Sequence, residues 1–374
     1  MRTKIPTIWR TFARNPRLES GSDANLGEQQ FGVPVQDVVL FASNCKARMK
    51  PVSFTLLLLA LVWFTFTGCR NADAPHAVAT ASGNVVPAHA PEFNPPVQLA
   101  KDETTMPLAP QEARFQEMVA WAKGADLQKL TFGEILQKTG QQFLGKPYVA
   151  GLLDREVTQE PLVVNLDEFD CLLLVETTLA LGTQLALQDY DYAHFQETLR
   201  NIRYRNGQQS YGSRLHYFTD WIREHNRHGR VKDVTQSVGA GAGAVKSPAV
   251  LNFMSTHRSS YPQMATNDVL YQEIVQMEKS LVGNRFYYIP KANLKAVYAK
   301  LQPGDILATA TGIAGLDVTH TGYVAITAGG GRGFLNASSV QKKVIVSPDL
   351  YDYTAGIRAQ IGILVIRPID PRTK

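Results

Sequence analysis

The spacing of hydrophobic residues divides the chain into an apolar run, a polar stretch, a helical half and a strand half. Helical spacing starts near Gln111 and recurs until Gly145-Lys146-Pro147, which ends it. The run after Cys171, LLLVETTLALGTQLAL, is apolar almost all round and predicts a buried helix. Further helices are predicted within 192–226 and over 265–300.

Short strands with turn signals occupy the last part of the chain. Leu162–Val164 is strand-like, and after Pro303 the alternation predicts strands over 305–311, 317–327, 333–338, 343–347 and 361–367. Helices first and strands last predict one α+β domain over 111–374, in which the helical half packs on an antiparallel, barrel-like sheet.

The segment 49–69 has the pattern of a secretory signal. Basic residues precede the uncharged run PVSFTLLLLALVWFTFTGC, which closes on small residues. Its end resembles the lipobox of bacterial lipoproteins, which implies lipidation at Cys69 and anchoring in the cell envelope, on the periplasmic face of the outer or inner membrane. The alternative is a signal-anchor helix.

The segments on either side of this signal are expected to lie outside any fold. Residues 1–48 stand in front of the signal, so we expect translation to start at Met49 and these residues to be an upstream mis-start. Residues 70–110 are rich in Ala and Pro without a helix or strand period, which predicts a disordered linker.

Charge and cysteine content exclude several classes of protein. The formal net charge is +5, but residues 1–68 carry eight Lys or Arg and four Asp or Glu, which leaves 30 basic against 29 acidic residues elsewhere. A nearly neutral globular part does not favour nucleic-acid binding. Three scattered cysteines suit neither a disulfide framework nor a Cys-based zinc site, and we expect no metal and no cofactor.

Cys171, His320 and Asn336 form a candidate catalytic set. Cys171 begins the buried helix, where unpaired N–H groups favour a thiolate, although a core cysteine is the alternative. Period-two alternation places His320 on one face of a strand, and Gly322 leaves space beside it. A hairpin can bring Asn336 next to His320, where its oxygen could accept from the imidazole. This is the nucleophile, base and orienting amide of a cysteine hydrolase.

Several longer motifs resemble the DUF1460 family of the NlpC/P60 papain-like superfamily. They cover residues 144–151, 162–171, 202–205, 211–221, 315–320 and 336–339. The resemblance implies a papain-like fold and an N-acetylmuramoyl-L-alanine amidase that prefers 1,6-anhydro-muropeptides and needs no metal. It also implies that Tyr148 helps to stabilise an oxyanion. Asn336 stands where related sequences often carry His, and either side chain can accept the imidazole N–H.

A polar cluster ahead of the helix near 220 is a candidate substrate-binding element. It contains Tyr211, Ser213, Arg214 and His216. Arg214 could grip a carboxylate of the stem peptide with two hydrogen bonds. The alternative is a helix-capping network in which Arg214 pairs with Asp220 or Glu224. For the helix at Cys171, Asp167 or Asp170 is expected to serve as the cap.

Two other functions compete with the amidase. An endopeptidase of the same superfamily would cut between D-Glu and the diamino acid of the stem peptide, and a Cys–His pair suits that reaction equally. A non-catalytic lipoprotein that binds muropeptides would need Cys171 only as a core residue.

Overall fold

The computed structural model describes residues 109–156, 158–246 and 250–373. The predicted segment 1–48, the signal 49–69 with Cys69, and all of the predicted linker except its last two residues lie outside this part of the chain. The α-helices are Pro110–Gly124 (α1), Phe132–Gln141 (α2), Cys171–Leu187 (α3), Tyr192–Arg203 (α4), Phe218–Arg227 (α5), Thr235–Val238 (α6), Phe253–Thr256 (α7), Pro262–Ala265 (α8), Asp268–Ser280 (α9), Leu294–Val297 (α10) and Leu350–Ala355 (α11).

The strands form one antiparallel sheet, which confirms the predicted α+β class. They are Val231–Asp233 (β1), Val245–Lys246 (β2), Tyr287–Pro290 (β3), Ile306–Thr311 (β4), Val318–Ile326 (β5), Arg332–Ser338 (β6), Lys343–Ser347 (β7) and Gln360–Pro368 (β8). The order is β2-β3-β8-β4-β5-β6-β7, and β1 pairs with β8 beside β3.

The sheet is open, so the predicted barrel-like closure is wrong. The outer edge of β7 is covered by the loop that follows α2 instead of by another strand. Gly145 N–H donates to the Val344 carbonyl, Val344 N–H donates to the Lys146 carbonyl, and Pro147 bridges to Lys343. These hydrogen bonds pair the backbone groups of Val344 at the outer edge of β7, and the sheet ends there.

Helix α3 shows how local sequence sets the elements around the site. Asp170 is its N-cap and accepts a hydrogen bond from Leu173 N–H at 2.8 Å, as expected for one of the two acids considered. The helix ends at Gln188, which takes a left-handed conformation with φ of 56°. Asp167 does not cap the helix but binds Lys146 at 2.8 Å.

The five strands predicted after Pro303 are confirmed, and two other expectations are wrong. Leu162–Val164 is not a strand, because its Val163 carbonyl is taken by the buried Arg203 side chain at 2.6 Å. The region 265–300 is helical in α9 but contains β3, which pairs with β8. Short strands such as β1 and β3 carry too few residues for a clear period.

The sheet separates two hydrophobic clusters. On one face, residues such as Tyr323 and Leu335 pack with helices α1 to α5. On the other face, Val324 and Phe334 pack with residues of α10 and α11. The Tyr323 hydroxyl donates to the Val175 carbonyl of α3 at 2.8 Å, so β5 and α3 are in direct contact.

Candidate active site

The site lies in a cavity of about 210 Å³ between the start of α3, the start of β5, helix α7 with Tyr261, and the segments around residues 151–154 and 211–217. Cys171 and His320 both line it. Cys171 is the first residue of α3, and its side chain is buried. The structure therefore brings the predicted nucleophile and the predicted base to the same cavity.

His320 and Asn336 are joined as the strand pattern predicts. β5 pairs with β6 in a register that sets Tyr323 opposite Leu335, and the His320 ring Nε2 lies 3.1 Å from Asn336 Oδ1. Gly322 makes this approach possible. A Cβ atom at Gly322 would lie 2.4 Å from the Leu335 carbonyl oxygen and 3.0 Å from the Asn336 Cβ.

The amide of Asn336 also fixes the tautomer of the imidazole. Its Nδ2 donates to the Phe334 carbonyl at 2.9 Å, so the oxygen is the atom that faces the ring. A carbonyl oxygen only accepts, so His320 Nε2 must carry the proton. Nδ1 of the neutral ring is then the free acceptor, as a general base requires.

Burial makes the resting cysteine and histidine neutral. Burial, and after it the Asp170 carboxylate, raise the pKa of the Cys171 thiol to about 12, although donors of Thr321 and Leu172 oppose the shift. Burial lowers the pKa of His320 to about 4, and the hydrogen bond that the ring donates to Asn336 opposes this shift. The helix start alone predicts a thiolate, but desolvation outweighs that effect here.

Asp170 contributes a second perturbed group beside the sulfur. Burial raises the pKa of its carboxyl to about 6, although the hydrogen bond from Leu173 N–H opposes the shift. With Leu173 N–H bound to this side chain and Leu174 N–H bound to the Asp170 carbonyl, the N–H groups of Cys171 and Leu172 are the ones at the helix start without an intrahelical partner.

Tyr148 lies near the Cys171 sulfur, on the segment of the chain that connects α2 to α3. This segment contacts the loop before β7. Its N–H donates to the Lys342 carbonyl at 3.0 Å, and Val149 N–H donates to the Phe169 carbonyl at 2.9 Å. Burial raises the pKa of the Tyr148 hydroxyl, and so do the neighbouring acidic groups of Cys171 and Asp170. The hydroxyl is therefore protonated at neutral pH and able to donate.

Arg214 also lines the cavity, where acidic residues already bind it. Its guanidinium contacts Asp154 at 2.9 Å and Glu160 at 3.2 Å, donates to the Leu153 carbonyl, and is only 5% exposed. Neither predicted capping partner is correct, because Asp220 pairs with Arg205 and Arg223. Glu224 pairs with Arg227.

The other residues of the polar cluster divide between the cavity and its exterior. Tyr211 and His216 line the cavity, and the His216 ring donates through Nε2 to the Tyr211 carbonyl at 2.7 Å. Burial, and after it the Arg214 charge, lower the pKa of His216 to about 3. The Ser213 hydroxyl binds its own turn, at Ser210, and does not line this cavity.

Three residues at the site carry no signal in the sequence analysis. Asp154 lines the cavity and holds Arg214, Tyr353 stacks on the His320 ring at 5.8 Å, and Thr321 faces Cys171. Asp154 and Tyr353 lie on segments without a clear period. Thr321 is adjacent to His320, but its contact with α3 depends on packing across the two halves of the domain.

Metal clusters and membrane-spanning helices are both absent from the described ranges. No group of three or more His, Cys, Asp or Glu side chains in residues 109–156, 158–246 and 250–373 could hold a metal ion. Within the same ranges, no helix has both the length and the apolar character needed to cross a bilayer.

Comparison with known proteins assigns the chain to a family. The model of the N-acetylmuramoyl-L-alanine amidase-like family matches residues 138–362, a range that contains Cys171, His320 and Asn336. The chain belongs to this family, and the family supports an amidase that acts on peptidoglycan. Comparison with curated proteins found no match.

Solved structures show the same relationship. An N-acetylmuramoyl-L-alanine amidase from Bacteroides uniformis is 34% identical with a TM-score of 0.58, over 64% of this chain and 99% of that one. A Bacteroides fragilis protein provisionally named a xylanase is 33% identical with a TM-score of 0.53, over 62% and 99%.

A more distant structure carries the family name predicted from the motifs. A Legionella pneumophila protein assigned to DUF1460 is 20% identical with a TM-score of 0.53, over 69% of this chain and 95% of that one, and it shares the fold. The predicted DUF1460 resemblance is confirmed, whereas membership of the wider NlpC/P60 superfamily stays a prediction.

Proposed function

We propose that the protein is a cysteine amidase that cleaves the amide between the lactyl group of N-acetylmuramic acid and L-Ala. Its preferred substrates are 1,6-anhydro-muropeptides, and Cys171, His320 and Asn336 form its catalytic triad. The observation that carries the proposal is the imidazole held by Asn336 with Nδ1 free, in the cavity that Cys171 also lines.

In the first step, His320 Nδ1 accepts the Cys171 proton while the sulfur attacks the lactyl carbonyl carbon. The neutral resting pair favours proton transfer during the attack over a preformed ion pair. The carbonyl oxygen becomes an oxyanion, to which Cys171 N–H and the Tyr148 hydroxyl donate. His320 then protonates the leaving L-Ala amine, and the C–N bond breaks.

In the second step, water hydrolyses the thioester between Cys171 and the lactyl group. His320 Nδ1, neutral again, removes a proton from water, whose oxygen attacks the acyl carbon. The C–S bond breaks, the sulfur recovers a proton from His320, and the lactyl carboxylate leaves. Asn336 holds the ring in one orientation through both steps, because its oxygen also stabilises the imidazolium.

The carboxylates of the cavity support an amidase over a glycosidase. A glycosidase needs two carboxyl groups that flank the scissile bond and are free to act as acid and base. Here Asp154 is bound to Arg214, Asp170 caps α3, and Asp317 accepts three hydrogen bonds from Thr219 and Val318.

The lining of the cavity offers a muropeptide both apolar surface and hydrogen-bonding groups. Tyr211, Tyr261 and His216 supply rings and hydrogen-bonding atoms to its lining. Because Asp154 and Glu160 already neutralise Arg214, its direct binding of a stem-peptide carboxylate requires displacement of one of these acids. We therefore assign Arg214 to shaping the cavity wall, with Tyr211 and His216 as the substrate contacts.

Attachment to the cell envelope through Cys69 is part of the proposal and rests on the sequence alone. Replacement of Cys69 by Ser is expected to abolish incorporation of a labelled fatty acid and to release the protein from membranes. Lipid incorporation that survives in Cys69→Ser would contradict the proposed anchor.

The decisive experiment compares wild-type protein and Cys171→Ala on matched anhydro- and reducing muropeptides, with products identified by mass spectrometry. We expect free stem peptide from the wild type alone and faster release from the anhydro sugar. Cleavage between D-Glu and the diamino acid would establish the endopeptidase instead. Ligand binding without turnover by folded wild type would establish a binding lipoprotein.

A further inference from the structure

Thr321 carries a buried polar group at the site that the mechanism above does not use. The side chain is 3% exposed and lines the cavity next to Cys171. Within the described residues its hydroxyl makes no hydrogen bond of standard geometry. Buried hydroxyl groups are normally paired, so this one requires an explanation.

The strand directs Thr321 toward the start of α3. Alternation places its side chain on the same face as Tyr323, whose hydroxyl binds the Val175 carbonyl of α3. Val324 N–H donates to the Asp305 carbonyl, on the side of β4, so the N–H of Thr321 points to the opposite edge of β5. Pairing of β5 with β6 begins at Tyr323, which leaves that edge free at Thr321.

Thr321 and Cys171 line the same cavity, so the unpaired hydroxyl of Thr321 lies in the space that the sulfur also faces. The backbone N–H and the hydroxyl of Thr321 lower the pKa of the thiol, as Leu172 N–H does. All three favour the thiolate, against the burial and the Asp170 charge that disfavour it. A threonine hydroxyl can rotate toward a sulfur that becomes negative, because no other acceptor holds it.

We propose that Thr321 stabilises the thiolate of Cys171 as His320 removes its proton. This proposal rests on the proposed function, in which Cys171 is the nucleophile. The proton moves from the sulfur to His320 Nδ1, and the Thr321 hydroxyl and N–H donate to the sulfur until its electron pair bonds to the lactyl carbon. Hydrogen bonds to an ionised acceptor are about twice as strong as those between neutral groups.

The test measures thiolate formation separately from amidase turnover. Full-length protein in detergent is alkylated with iodoacetamide from pH 6 to 10, and modification of the Cys171 peptide is followed by mass spectrometry. Thr321→Val removes the hydroxyl with little change in shape, and Thr321→Ser retains it. Thr139→Val is the matched control, because Thr139 is also buried with an unpaired hydroxyl but lies on α2.

We expect Thr321→Val to slow alkylation of Cys171 about tenfold at neutral pH, which corresponds to a rise of about one unit in the pKa of the thiol. The Ser variant and Thr139→Val are expected to match the wild type. An unchanged alkylation profile in folded Thr321→Val would overturn the proposal, and so would a Ser variant that behaves like Val. Thr321→Ala replaces the Val variant if that variant does not fold.

The same samples separate this proposal from the proposed function. If Cys171→Ala still releases stem peptide, the nucleophile assignment fails, and the role of Thr321 in that reaction fails with it. If Cys171→Ala is inactive and Thr321→Val alkylates like the wild type, the amidase stands and only the role of Thr321 fails.

Discussion

The two histidines of the cavity, His320 and His216, are both desolvated, although His320 is buried and His216 only partly so, and they differ in the groups that surround each ring. Both are held through Nε2, His320 by the Asn336 side chain and His216 by the Tyr211 carbonyl. The pKa of each is lowered by burial, to about 4 and about 3 respectively. Only His216 has a neighbouring cation, because the Arg214 charge also disfavours its protonation.

This difference separates a base from a neutral binding group. A general base must hold a proton for part of the reaction, and His320 can do so beside a forming thiolate and an amide oxygen. His216 would have to hold that proton next to a guanidinium. Residue type and desolvation therefore do not distinguish the proposed general base from the other histidine, whereas the charges around the rings do.

The largest effect is expected from removing His320. His320→Ala should lower kcat about 10³-fold, since a positioned general base contributes about 10² to 10⁴. His216→Ala should act mainly on KM, because the proposed role of His216 is to contact substrate without transferring a proton. Steady-state kinetics on a muropeptide measures both. Equal losses of kcat in the two variants would remove the distinction between the histidines.

The next effect concerns Arg214, the cation that distinguishes His216. Arg214→Met leaves Asp154 and Glu160 without their partner, and breaking such a buried pair costs about 3–5 kcal/mol in the free energy of unfolding. Arg223→Met is the matched control, because Arg223 is 44% exposed and Arg205 still binds Asp220; we expect a loss below about 1 kcal/mol. Urea unfolding of both variants tests this, and a similar small loss in both would show that the Arg214 cluster does not stabilise the fold.

A smaller effect is expected from Asn336, which orients His320. Asn336→Ala should lower kcat about 10- to 100-fold with little change in KM, since the hydrogen bond to a charged imidazolium is worth about 1.5–3 kcal/mol. Asn336→His retains an acceptor and should recover most of the activity. If the Ala variant keeps wild-type kcat, the ring is held by the stacked Tyr353 and not by the amide.

The smallest effect is on pH dependence. His320 must be neutral to accept a proton, and its pKa of about 4 predicts that kcat/KM holds as the pH falls below 6.5 and is lost near pH 4. The buried histidines also cost stability in this range, because the unfolded chain binds protons below pH 6.5 and the folded state does not. Tryptophan fluorescence at each pH separates unfolding from loss of the base. A loss of kcat/KM near pH 6.5 while the protein is still folded would contradict the neutral, desolvated His320 ring.

The parts of the site that the sequence predicts are those set by local rules. The helix start gives Cys171 and its cap Asp170, and strand alternation with a glycine-rich turn gives His320 beside Asn336. The partners of Arg214 were not predictable in this way, because Asp154 lies 60 residues earlier on a segment without a period. The same holds for the open sheet edge, which depends on where the loop after α2 docks.

The protonation state of Cys171 was the least predictable property of the site. The start of a helix favours a thiolate, yet the sulfur of Cys171 is neutral because α3 packs deep against β5. That burial follows from contacts between residues far apart in the chain, such as Tyr323 with Val175. The sequence pattern indicates the helix dipole at Cys171. It does not indicate the desolvation of the sulfur that follows when the two halves of the domain pack together.

The bond between Tyr323 and Val175 closes a loop of 148 residues, and it has a consequence for biosynthesis. A ribosome delivers α3 long before β5 and β6, and the N-terminal parts of a chain are the first to emerge. Until the last strands dock, Cys171 lacks both its proposed base, His320, and its proposed donor, Thr321. The proposed amidase activity is therefore among the last properties that the nascent protein acquires, and a chain truncated before residue 320 would contain the thiol but no base for it.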